Sequence, residues 1–167
     1  IRFHNKGKHF FFFLPVFTDV DINIAELQLR KNSIYYVACP LRYNSVIRYV
    51  KDSIDLSKVY NARCICSSYL PDWRPGTDYR KVYSAHKDMG GGVAIDLVHE
   101  WDYLTWLFGY PDRVYSCIDK VSELEIDSDD LALYIGKYDR LCVELHLDYF
   151  GRKSMRNIKI RYCIVTV

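Results

Sequence analysis

The residues Gly90–Gly109, GGGVAIDLVHEWDYLTWLFG, decide how the rest of the chain is read. Three glycines end an irregular stretch, a patterned apolar run follows, and Gly109 with Pro111 closes it. Glycine just past a last turn with proline soon after is a helix stop. The spacing predicts one helix over 93–108, with Ala94, Leu97, Val98, Trp101, Leu104, Thr105 and Phe108 as the stripe that faces a sheet. Asp96, His99, Glu100 and Tyr103 stand at i, i+3, i+4 and i+7, so one helix would carry them on a second stripe, displaced from the first.

Downstream the period changes from helical to alternating. Strands are expected over 113–123, 130–138, 141–150 and from 156 to the end, with short turns at Lys137-Tyr138-Asp139 and Gly151-Arg152-Lys153 that imply antiparallel neighbours. The clearest alternation sets Leu141, Val143, Leu145, Leu147 and Tyr149 on one face and Glu144, His146 and Asp148 on the other. Upstream, Pro71 to Met89 reads as an ordered, irregular polar loop of the length that often carries function. Before it come a strand over 59–69 and a helix over 44–54 with Ile47, Val50 and Ile54 at helical spacing. The first 38 residues read as strand, helix, strand. Phe10–Phe13 is the expected buried strand, a helix starts at Thr18 with Asp19 and Asp21 in its first turn and buries Ile22, Ala25, Leu27 and Leu29, and Ile34–Ala38 closes a parallel unit. The expected fold class is α+β: an open, mostly antiparallel sheet with helices on one face, preceded by a β-α-β unit.

Composition narrows the function classes. The 167 residues hold 23 Lys+Arg against 21 Asp+Glu, a net charge of +2, which argues against a nucleic-acid backbone as partner. Hydrophobic residues make up 50% and aromatic ones 16%, which excludes a disordered chain. The six cysteines form no C-x-x-C pair, so zinc-ribbon and thioredoxin-like readings fail, and Cys64 with Cys66 is expected to fill one face of a strand. A reduced, cytoplasmic chain follows as the default. The apolar run Phe10–Phe17 is too short for a bilayer, is interrupted by Pro15 and lacks a cleavage site, so no membrane partner is expected.

The chemistry centres on Asp96 and His99. A carboxylate one helical turn before an imidazole can hold that ring in one tautomer and stabilise its protonated form, as a general acid/base needs. The competing reading is an ordinary i, i+3 surface pair. A metal site is a third reading, but Tyr103 stands where H-E-x-x-H would need its second histidine. The glycines are no dinucleotide fingerprint, because no strand precedes them and Ile95 occupies the last position of G-x-G-x-x-G. They open a helix N-terminus able to receive an anionic or hydroxyl-rich ligand, or serve only a tight turn. Arg74, Arg80, Lys81 and Lys87 could add charge there or be solvated; Trp73 and Tyr79 could stack on a sugar or pin the loop.

The run Lys87–Gly109 closely resembles the Gfo/Idh/MocA oxidoreductase family, in particular the form G-G-G-V-x-x-D-L-x-H-E-x-D-Y-L-x-W-L-F-G. Pro40-Leu41-Arg42-Tyr43-Asn44, Tyr79–Ser84, and Pro111 with Val114 extend the resemblance over residues 7–160. It implies an NAD(P)-dependent dehydrogenase of sugars, cyclitols or their derivatives, with 1–38 as a remnant of the nucleotide-binding Rossmann domain and 39–167 as the C-terminal substrate and oligomerisation domain. By the same resemblance His99 is the acid/base and Asp96 its partner. Trp73, Tyr79, Arg80, Lys87, Glu100 and Tyr103 are the expected substrate-binding residues, NAD or NADP the cofactor, and a second copy the partner through the open sheet face. Two departures stand out. No glycine fingerprint is present, and Gly7–Pro15 aligns with G-K-H-V-F-V-E-K-P, which puts Phe13 at the glutamate and Leu14 at the catalytic lysine. Leucine donates no hydrogen bond, so this chain is expected to be a truncated or frame-altered form that is catalytically incomplete by itself. The alternative is a non-enzymatic assembly domain that pairs through Leu141, Val143, Leu145 and Leu147.

Overall fold

A computed structural model describes residues 9–17 and 21–163. Its centre is a five-stranded sheet in the order β4-β5-β6-β3-β7, formed by β3 (Val59–Tyr69), β4 (Arg113–Asp119), β5 (Leu131–Lys137), β6 (Cys142–Asp148) and β7 (Phe150–Tyr162). Only the β3–β6 pairing is parallel; β4–β5, β5–β6 and β3–β7 are antiparallel. This is the expected α+β sheet. Ala62, Cys64 and Cys66 of β3 and Val143, Leu145 and Leu147 of β6 are buried on the same face, because successive side chains alternate across the pleat. Burial raises the Cys64 thiol to about 12 and the Cys66 thiol to about 11, so both act as core residues.

Helices cover that face. α1 (Ser45–Ser53) is capped by Asn44, whose side chain accepts from the N–H groups of Val46 and Ile47, and it buries Ile47 and Val50. The stretch predicted as one helix over 93–108 is two: α2 (Val93–Asp96) and α3 (His99–Phe108), with an elbow at Leu97-Val98. Around the elbow, Ile95, Val98 and Glu100 donate to carbonyls three residues back, the tighter 3-10 pattern. That overwinding changes the inward face. Val93, Leu97, Glu100, Tyr103, Leu104 and Leu107 are buried, while Ala94, Val98, Trp101, Thr105 and Phe108 are half-buried. α3 is tied to the chain before α1 by Arg42, which donates to both carboxylate oxygens of Asp102 at 3.0 and 2.5 Å, and to α1 by Lys51, which donates to the Trp106 carbonyl at 3.0 Å.

The N-terminal part differs from its expectation. β1 (His9–Phe13) and β2 (Ile34–Ala38) do pair in parallel, but Phe11 and Phe13 are exposed, so β1 is not a buried strand. The proposed helix start at Thr18 and Asp19 lies outside the described residues. Over 21–31 there is only a 3-10 turn, Ile24–Glu26, and Ala25 and Leu29 are exposed. Asn23 explains the local choice: its side chain takes the Ala25 N–H, an alternative to helical bonding. A short amphipathic segment with no apolar surface to cover does not pay the nucleation cost of a helix.

Further differences lie at the strand ends. The strand expected over 113–123 stops at Asp119. Gly151-Arg152-Lys153 is not a turn but the start of β7, which crosses the end of β3 to reach its far side. Tyr149 makes that corner, accepting from the Leu70 N–H and donating to the Asp130 carbonyl. The strand expected to run to the end is described as far as Tyr162, and 164–167 lie outside the described residues. Leu141, Val143, Leu145 and Leu147, assigned to pairing with another copy, are buried in this chain's own core beneath its helices. The sheet's open face is the opposite one. Among the described residues no helix is long and apolar enough to cross a membrane.

Candidate active-site region

The elbow between α2 and α3 separates the two residues expected to act together. Asp96 closes α2 and accepts a hydrogen bond from the buried Tyr149 hydroxyl at 2.6 Å. Burial, and next the Asp96 charge, push the Tyr149 phenol far up, so it stays a donor. His99 opens α3, is half-buried, and keeps its Nδ1 buried with no hydrogen-bond partner. Asp96 and His99 therefore share neither a helix nor a hydrogen bond. Glu100 and Tyr103 are fully buried and belong to the core, not to a ligand surface. Glu100 Oε1 accepts from Arg156 Nε at 2.8 Å, and its Oε2 has no partner. Burial opposes the charge on Arg156, but Glu100 beside it outweighs this and holds the guanidinium protonated. Burial pushes the Tyr103 phenol far above its ordinary value.

Two cavities flank the elbow. Leu97 lines one of about 350 Å³, whose wall also carries Ser67, Ser68, Asp72, Trp73, Arg152 and Arg156. Val98 lines the other, of about 410 Å³, with Leu14, Trp101, Pro111, Val114 and Tyr134. The first offers hydroxyls, a carboxylate, two guanidiniums and an indole, the mixture that fixes a polar ligand's orientation. The second is apolar, and its Asp102 is already taken by Arg42. Leu14, the position where the resemblance expects lysine, faces this apolar cavity beside the residue that precedes His99.

The loop residues divide. Trp73 reaches the polar cavity, donates from Nε1 to Ser68 Oγ at 2.9 Å and meets Tyr149 edge-on at 5.2 Å between ring centres. Tyr79 is half-buried, and its hydroxyl accepts from the Glu125 N–H. Arg80 is spent on Asp78 and Glu125. The Lys87 side chain is exposed, and its backbone N–H donates to Asp127. None of these three lines either cavity. The glycines serve close packing. A Cβ at Gly91 would meet the Tyr83 carbonyl, and one at Gly92, where φ is +129°, would meet Asp129 Oδ1 at 2.3 Å. Asp129 Oδ2 accepts from the Ala94 N–H and its carbonyl from Val93, so this chain's own carboxylate occupies the place proposed for a ligand.

Sequence reasoning missed Arg152, Arg156, Ser67 and Asp148. One signal was available: Arg156 alternates with Ile158 and Ile160, the two residues that pack against the core. A charge in an apolar row needs a buried partner, and Glu100 is that partner. Asp148 builds the corner that presents Arg152. Its Oδ1 accepts from Ser67 Oγ and from the N–H groups of Phe150 and Gly151, and Ser67 comes so close that a Cβ at Gly151 would lie 1.8 Å from its Oγ.

No family model and no curated protein matches the sequence. Solved structures do. The WlbA dehydrogenase from Bordetella pertussis, in complex with NADH and UDP-GlcNAcA, is 18% identical, with a TM-score of 0.63 over 76% of this chain and 40% of that one. An oxidoreductase from Agrobacterium radiobacter, in complex with NAD+, L-tartaric acid and magnesium, is 17% identical, with a TM-score of 0.57 over 75% of this chain and 37% of that one. The UDP-N-acetylglucosamine 3-dehydrogenase GnnA from Acidithiobacillus ferrooxidans is 16% identical, with a TM-score of 0.56 over 75% of this chain and 37% of that one. The chain thus spans well under half the length of the structures it matches. At this identity the likeness establishes the fold alone, the α+β domain that these structures share with the chain.

Proposed function

We propose that this chain supplies the substrate-binding part of an NAD(P)-dependent oxidoreductase acting on a sugar, a cyclitol or a sugar derivative, with residues 39–167 as the substrate domain and 1–38 related to a nucleotide-binding one. The observation that carries this reading is the polar cavity beside the α2–α3 elbow, in a fold shared with a dehydrogenase bound to NADH and a sugar nucleotide. His99 is the acid/base that exchanges the proton of a substrate hydroxyl; its Nδ1 is buried without a partner, so the other ring nitrogen, Nε2, is assigned to that exchange. Asp96 acts on the site indirectly, through Tyr149. The cavity beside Leu14 does not fit a dinucleotide. The wall around Leu14 is apolar and offers no cationic group for a pyrophosphate, so the chain is assigned the substrate side alone. Six free cysteines suit a reducing compartment such as the cytoplasm.

Calorimetric titration of the chain with glucose, myo-inositol and UDP-sugars tests this. Saturable binding of at least one, with NADH and NADPH inert, is the expected result; binding of none defeats the reading, and tight dinucleotide binding defeats the assignment to the substrate side. A second reading, assembly of two copies, is favoured by the open sheet face, where Tyr115, Ile135 and Met155 are 59%, 48% and 45% exposed. Sedimentation decides it: a strictly monomeric chain at high concentration removes this option.

A further inference from the structure

The polar cavity holds two arginines in different electrical situations. Arg156 has its Nε committed to the buried Glu100, and no oxygen among the described residues accepts from its Nη atoms. Arg152 lies with its guanidinium carbon 3.8 Å from the centre of the Tyr69 ring and forms no ion pair among the described residues. Stacking on an aromatic face leaves the in-plane N–H donors of a guanidinium free. The position of Arg152 is built, because the Asp148–Ser67–Gly151 corner fixes the backbone immediately before it. Around the arginines stand Ser154, Trp73 and the carboxylate of Asp72.

We propose that this cavity binds an oxyanion carried on a polyhydroxylated ring, that is, a sugar acid or a sugar phosphate, with the anionic group between Arg152 and Arg156. This deepens the substrate-binding reading above and rests on it. Guanidinium forks match carboxylate and phosphate oxygens in plane, an arrangement a neutral sugar cannot exploit. Asp72 supplies the complementary half: it repels a bare anion but accepts from hydroxyls held at a distance from the charge. The ligand is therefore recognised at both ends, by donors to its charge and by acceptors to its hydroxyls, with Trp73 as an apolar wall for a ring face. A volume of about 350 Å³ accommodates one hexose ring with its substituent.

The test is calorimetry of the 167-residue chain with glucuronate, glucose 6-phosphate, glucose and inorganic phosphate. Glucuronate or glucose 6-phosphate binds at least tenfold tighter than glucose and than inorganic phosphate, and the advantage shrinks in 0.5 M salt, roughly as screening at a Debye length of a few ångströms requires. Whichever of the two binds tighter identifies the oxyanion. Arg152→Ala removes the preference for the charged sugar and Arg152→Lys restores part of it, with the circular-dichroism spectrum unchanged in both. The proposal is overturned if glucose binds as tightly as the charged sugars, if inorganic phosphate binds as tightly as glucose 6-phosphate, or if Arg152→Ala keeps the preference. Equal binding of charged and neutral sugars sinks this inference while the sugar reading stands; binding of no sugar sinks both.

Discussion

Asp130 and Glu100 are both fully buried carboxylates, and the chain treats them differently. Asp130, at the end of the β4–β5 connection, accepts from the N–H groups of Val121 and Ser122 and from the Ser122 hydroxyl, with Lys120 at 3.4 Å. Glu100, beside the elbow, accepts from Arg156 on Oε1, has no partner on Oε2, and lies against the buried Tyr103 and Cys66. The turn saturates Asp130 with its own backbone, whereas the N–H groups of Glu100 and Asp102 at the elbow already donate to the Leu97 and Val98 carbonyls. The first arrangement is scaffold. The second leaves polar capacity unspent beside the cavity proposed to bind substrate, which is where consistency between local and global structure is expected to break.

Breaking the Glu100 pair should cost most. Arg156→Ala leaves a buried charge without its counterion and should destabilise the chain by about 3 kcal/mol, at the low end of the cost of breaking a buried pair because the guanidinium is itself half-exposed. Urea unfolding measures this, and a loss below about 1 kcal/mol would mean that the pair does not hold the fold together. Asp130→Ala strands several donors that water reaches only in part, for an expected loss of about 2 kcal/mol. If it exceeds the Arg156 loss, the contrast drawn here is inverted.

The β6–β7 corner comes next. Gly151→Ala brings a Cβ onto Ser67 Oγ and should cost about 1 to 2 kcal/mol. Adding Ser67→Ala relieves the overlap, so the double variant should be more stable than the sum of the two single losses predicts. Simple additivity would show that the corner relaxes freely.

The smallest effect is acid lability. Burial raises the pKa of the Asp130 carboxyl, but Ser122 and the backbone donors prevail and hold it below the ordinary carboxylate range. Asp148 is lowered in the same way, with burial opposed by His146 and Ser67. Both folded values lie below the unfolded one of about 3.9, so their stabilisation is complete above that pH and is lost as pH falls through the folded values. The melting temperature should drop between about pH 4 and pH 2, and less steeply in Asp130→Asn; an unchanged slope would refute the assignment for Asp130.

Much of the sheet was legible from sequence. Val59–Tyr69 and the Leu141–Leu147 alternation were read as strands with their two faces correctly separated, because side chains alternate with period two; that the Leu141–Leu147 face is covered by this chain's own helices was not. The two ends of α1 were legible in Asn44 and Ile54. The site was not. Asp96 and His99 looked coupled because a straight helix was assumed, whereas the chain overwinds at Leu97-Val98, with Leu97 buried in the core. Glu100 looked like a surface ligand because its partner lies 56 residues away in a strand.

The sequence by itself determined the element types over most of residues 39–163, the glycine contacts before α2 in kind if not in partner, and the class of fold, since these depend on periodicity and on neighbours close in the chain. Tertiary structure alone decided that β7 crosses the end of β3 to bring Arg152 and Arg156 beside Leu97, that Asp129 fills the space before α2, and that the elbow assigns Asp96 to Tyr149. Those pairings join residues far apart along the chain. Their energies depend on burial and on mutual distance, and neither quantity exists until the chain has folded.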